Sequence, residues 1–168
     1  MSSVPLHPAI VHLPLALALL VPLLAAGVAV MVHRGSLPRS AWAAVLGLQL
    51  LLVGTGFAAM QTGEHDEEQV ESVVSHEVIH GHEEAAEAFV YTAAALSVLF
   101  ALGLALPRPA WRSGAMGLAA AGSLAVAALA VSVGHSGGEL VYVHGAAQAH
   151  MEPPGSAASA HRDPDEGR

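Results

Sequence analysis

AWAAVLGLQLLLVGTGFAAMQ, residues 41–61, runs for 21 residues without a charged side chain. About 20 residues of α-helix cross the roughly 30 Å hydrocarbon core of a bilayer. No alternation of period two suggests a strand instead. Working outward, Ile10–Val32 lies on one side, and about Ala88–Leu106 and Gly114–Gly134 lie on the other, each of 19 to 23 residues rich in Leu, Ala, Val and Gly. Four such stretches predict an all-α fold, a four-helix transmembrane bundle occupying residues 1–150. Val70, Val73, Val74 and Val78 recur at helical spacing and predict an outer amphipathic helical segment between the second and third spans. Residues 151–168, rich in Pro, Gly, Ser and Ala with mixed charge, are expected to form a disordered tail.

Composition agrees with this reading. Of 168 residues 54% are hydrophobic and 12% charged, against about 25% charged in a soluble domain. Met1–Leu6 has no basic residue and the first apolar run exceeds the length of a signal-peptide core, so a cleaved leader is not expected. The basic residues are six arginines, with no lysine, against fourteen acids, which excludes a nucleic-acid binder, since nothing could neutralise a row of phosphates. The chain has no cysteine, which removes disulfides, thiolate metal sites, iron–sulfur clusters and covalently attached haem.

Charge also sets the expected orientation. His33–Ser40 carries Arg34 and Arg39, and Pro107–Ser113 carries Arg108 and Arg112. Excess positive charge stays in the cytoplasm, so both termini and the acidic segment Thr62–Glu84 are expected on the periplasmic side of a bacterial inner membrane. Thr62–Glu84 holds eight acids and no arginine. Gly54, Gly56, Gly114, Gly117, Ala121 and Ser123 are small residues that allow close helix contact.

The eleven histidines are the unusual feature, and most lie at the acidic end. In LHPAIVHLP, residues 6–14, Pro8 suits a first helical turn and Pro14 restricts the turn that follows. His7 reads there as an interfacial cap. His12, an ionisable group in an apolar stretch, reads either as a ligand or as a hydrogen-bonded structural residue. In EHDEEQVESVVSHEVIHGHEEAAE, residues 64–87, a continuous helix would align His76, His80, Glu83 and Glu87. That is a possible site for zinc, copper or iron, set against a plain solvated acidic face. His82 points away from this stripe and could turn toward the bundle. In GHSGGELVYVHG, residues 134–145, the glycines permit tight turns and ELVYVH alternates like an extended segment. A strap folding back there would bring His135 and His144 over the bundle. His12, His82, His135 and His144 then become the candidate ligands of one cofactor, and two of them would suffice for haem b.

HPAIVHLPLAL, Thr62–Gly63, HEEAAE at 82–87 and GHSGGELVYVHG together resemble the bacterial membrane family catalogued as domain of unknown function 2231, over roughly residues 6–148. The resemblance implies a four-helix membrane domain. Members occur alone or joined to cytochrome-type redox modules, which implies an electron-transfer setting, and the shared histidines are His7, His12, His82, His135 and His144. The leading expectation is a non-enzymatic redox protein of the lipid bilayer holding haem b or another metal near its outer face. It would exchange electrons with quinone or a periplasmic redox protein. The alternatives are copper or zinc handling by the acidic segment, or a structural subunit. No nucleophile triad, phosphate loop or catalytic carboxylate pair argues for an enzyme.

Overall fold

A computed structural model describes residues 6–150; the expected tail at 151–168 lies outside the described residues. Five α-helices follow one another: α1 (His7–Ile10), α2 (His12–His33), α3 (Trp42–Val70), α4 (His76–Ala105) and α5 (Pro109–Tyr142). Short 3-10 turns occupy Arg39–Ala41 and Ala146–His150. The fold is all-helical, and four helical stretches, α1 with α2 counting as one, are long and apolar enough to cross a membrane.

Pro14 explains why the first stretch is divided. It has no N–H for the Ile10 carbonyl, and its ring crowds that same carbonyl one turn back. The chain therefore ends α1 at Ile10 and restarts at His12. At the other end of α2, Gly35 takes φ +73° while the Ser36 N–H reaches the Met31 carbonyl at 2.9 Å. This is the left-handed glycine stop, a conformation that disfavours other L-residues.

The long helices form a closed ring. Each packs on the next in sequence, and α2 also packs on α5. The core is apolar and tightly interlocked: Trp42 stacks on Phe100 at 5.4 Å and donates its indole N–H to the Phe100 carbonyl at 2.9 Å. A Cβ on Gly103 would lie 2.7 Å from Trp42 Nε1, and one on Gly122 would lie 2.5 Å from Leu96 Cδ1. Of the small residues singled out by sequence, Gly56 meets Val90 in this way, whereas Gly54, Gly114 and Gly117 face open space. Gln49 is fully buried and donates from Nε2 to the Ala93 carbonyl at 2.8 Å.

Helices α3, α4 and α5 have 29, 30 and 34 residues, or about 43 to 51 Å at 1.5 Å per residue. A bilayer core takes up about 30 Å of that. The loops at the arginine end are short, so the excess projects at the acidic end. The outer amphipathic segment is thus no separate helix. It is the end of α3, a turn at 71–75 and the beginning of α4, gathered on a second small core of Val74, Ile79, Leu140 and Ala146.

The extended strap expected at residues 139–144 does not form, because α5 continues through Gly134, Gly137 and Gly138 to Tyr142. Each helical glycine costs about 1 kcal/mol relative to alanine, but the continuation buries Leu140 in the second core. Four or five alternating residues carry too little periodicity to separate strand from helix.

Candidate functional site

The projecting helix ends enclose a cavity of about 540 Å³, and two imidazoles reach it from different helices. His7 is the first residue of α1, which packs against α3. Its Nδ1 lies 2.8 Å from the Ala59 carbonyl and 3.4 Å from Thr62 Oγ1. A carbonyl only accepts, so Nδ1 carries a proton and donates it. His82, in the second turn of α4, places Nδ1 2.8 Å from Ser136 Oγ on α5. That hydroxyl also lies 3.1 Å from the Val133 carbonyl, to which it can donate while accepting from His82. Both rings are thus anchored through Nδ1, which leaves Nε2 as the nitrogen a metal would take.

Glycines make room for both rings. A Cβ on Gly63 would lie 3.2 Å from His7 Cε1, and one on Gly137 would lie 3.2 Å from His82 Cε1. The two ring centroids are 6.4 Å apart with planes at 88°. Anchoring of the far nitrogen to a carbonyl or hydroxyl is what fixes the tautomer and orientation of metal-binding histidines.

The remaining walls are of two kinds. Glu64, Asp66 and Glu67 of α3, with Glu83 and Glu87 of α4, form an acidic side. Ile79 of α4, Leu140 and Val141 of α5, and Ala146 and Ala147 of the closing turn are apolar. His82 and Glu83 precede the apolar stretch of α4 and stand outside the membrane-crossing part. Burial, and next the neighbouring His7, push His82 below its ordinary value of 6.5. Burial, and next the charge of Glu67, push Glu83 above 4.5, with His80 partly opposing.

The other candidate ligands are placed elsewhere. His12, His135 and His144 are exposed and do not line the cavity. His12 follows His7 by five residues, about 140° around a helix, and so faces away from it, and the straight continuation of α5 carries His135 outward, 76% exposed, beside Glu139 at 3.4 Å. The expected meeting of His12, His82, His135 and His144 is therefore corrected to a pairing of His82 with His7.

The stripe on α4 divides as well. His76 turns back to Glu71 at 3.0 Å, close to Glu67, so that these three donors lie within 4.8 Å of one another on the surface. His80 stands between Glu83 at 3.6 Å and Glu84 at 3.5 Å, its ring stacked on His76. Glu83 and Glu87 line the cavity.

Sequence reading quoted Thr62–Gly63 and the stretch holding Ser136 and Gly137 as motifs but gave them no anchoring role, and it did not find the Ala59 carbonyl or the cavity-lining Glu67. A signal existed in two hydroxyl–glycine dipeptides, Thr62–Gly63 and Ser136–Gly137, near the ends of apolar stretches that follow a histidine.

Residues 3–150 match the family described as predicted membrane protein (DUF2231), and the chain belongs to it. None of the curated proteins and none of the solved structures matches the chain.

Proposed function

We propose that this member of the DUF2231 family is a membrane protein that binds one redox-active metal at its acidic end, with His7 and His82 as nitrogen ligands. The observation that carries this reading is the pair of imidazoles, each anchored through Nδ1, at a ring separation of 6.4 Å. Metal–imidazole bonds of about 2.0 Å put the centroids about 6.3 Å apart when the ligands are opposite each other, and about 5.1 Å apart in a tetrahedron. Imidazole suits copper, iron and zinc, and copper or iron fits the electron-transfer setting that the family resemblance implies.

Electrostatics then separates a bare ion from haem. The walls carry five carboxylates and no arginine, a poor setting for the two propionates of a porphyrin and a good one for a cation. Haem b is the second reading, favoured by the apolar side of the cavity. Copper or iron supplies one-electron chemistry when bound. On that ground the proposal includes electron exchange with a quinone or a periplasmic redox protein. The four arginines at the opposite end support a cytoplasmic location for that end in a bacterial cell, with the cavity facing the periplasm.

Elemental analysis and an absorption spectrum of the detergent-purified chain test this. The expected result is copper or iron near one per chain, lost from His7→Ala and from His82→Ala; a Soret band would select haem. Metal content unchanged in both variants would overturn the proposal.

A further inference from the structure

The buried faces of the first and second halves of the bundle follow one order at a fixed offset. Pro14, Ala18, Val21 and Ala25 of α2 stand 75 positions before Phe89, Ala93, Leu96 and Phe100 of α4, and all eight are buried. Val45, Gln49 and Leu52 of α3 stand 74 positions before Ala119, Ser123 and Val126 of α5, again all buried. Helical periodicity alone could align apolar stripes. It does not explain why Gln49 and Ser123, the buried polar residues of the described chain, form one of these pairs.

Nor does it explain the acidic end. His7 and His82 differ by 75 positions, while Thr62 and Ser136, and Gly63 and Gly137, differ by 74. In each half a histidine from the first helix meets a hydroxyl and a glycine from the second. The packing has the same symmetry. α2–α3 corresponds to α4–α5, and α3–α4 corresponds to α5–α2, so that equivalent helices sit diagonally across the ring.

We infer that the chain is an internally duplicated helical hairpin, and that His7 and His82 are equivalent ligands of a single mononuclear cation centre on its pseudo-twofold axis. Thr62–Gly63 and Ser136–Gly137 are the matching positioning pairs. This rests on the preceding reading of His7 and His82 as ligands and adds equivalence and polarity. The polarity comes from broken symmetry: the counterpart of Glu67 is Val141 and that of Glu83 is Pro8. Oxygen donors therefore come only from the α3–α4 side.

Copper(II) is the probe. The full chain in detergent, with exposed His76 and His80 both changed to Ala to remove competing imidazoles, is titrated and followed by electron paramagnetic resonance. The expected result is one tightly bound copper per chain, whose hyperfine pattern shows two equivalent nitrogens. His7→Ala and His82→Ala each reduce the pattern to one nitrogen. Ser136→Ala, which keeps both ligands but removes the partner 2.8 Å from His82, lowers affinity about 10–100-fold, as losses of groups that orient a ligand do. Thr62→Val removes a hydroxyl 3.4 Å from a His7 still held by the Ala59 carbonyl, and lowers it less.

Two coppers per chain with one nitrogen apiece would overturn the shared centre while leaving both histidines as ligands. So would a two-nitrogen pattern that survives loss of either histidine. Copper binding indifferent to the double variant His7→Ala/His82→Ala would instead overturn the reading on which the inference rests.

Discussion

At the scale of single residues, two glycines decide whether the imidazoles reach the cavity. Gly137→Ala sets two effects against each other. Alanine stabilises a helix by about 1 kcal/mol relative to glycine, but its Cβ would stand 3.2 Å from His82 Cε1 and push the ring aside. We predict that Gly137→Ala keeps or raises the melting temperature and lowers metal affinity, measured by thermal denaturation and metal titration on the same preparation. His82 makes a second prediction. Its folded pKa lies below 6.5, so on acidification the unfolded chain takes up the proton first. Stability tied to the neutral ring is present above 6.5 and is lost as pH falls through the folded value. His82→Gln should flatten the fall of melting temperature just below pH 6.5, and an unchanged slope would refute the assignment. Glu83, shifted upward, acts in the opposite sense at lower pH.

At the scale of elements, packing and helix breaks can be tested separately. Gly103 lies where a Cβ would meet Trp42 Nε1 at 2.7 Å and Met116 Cγ at 3.0 Å. Overpacking of this kind costs about 1–3 kcal/mol, so Gly103→Ala should destabilise the bundle in detergent denaturation and leave metal affinity unchanged in what remains folded. Pro14→Ala tests the interrupted ladder. It supplies an N–H for the Ile10 carbonyl, and because Val11 already has helical dihedrals α1 and α2 close into one hydrogen-bonded helix without moving His7. Helicity by circular dichroism should hold or rise while metal affinity is unchanged. The spans were legible in the sequence because uncharged runs of some 20 residues have few other uses. Their ends were not legible: α3 continues into the acidic residues to Val70 and α5 through its glycines to Tyr142. Once a helix leaves the lipid, hydropathy ceases to report on it, and packing in the second core decides its length.

At the scale of the whole molecule, the charge pattern, the ring of helices and the cavity form one arrangement. Arginines hold one end, acids the other, and the extended acidic end supports a partly apolar chamber with two nitrogen donors. Histidine was legible as the residue type that matters, but its partners were not. His12 and His135 attract notice by sequence and face outward, whereas His7 reads as a cap and faces inward. The internal repeat is equally hidden, because pairs such as Val21 with Leu96 share a buried position without sharing identity. X-ray absorption at the copper or iron edge of the purified chain counts the ligands directly. The account predicts two imidazoles at about 2.0 Å from one metal, with both signals gone in the double variant His7→Ala/His82→Ala. A metal shell without imidazole, or one that the double variant leaves intact, would contradict it.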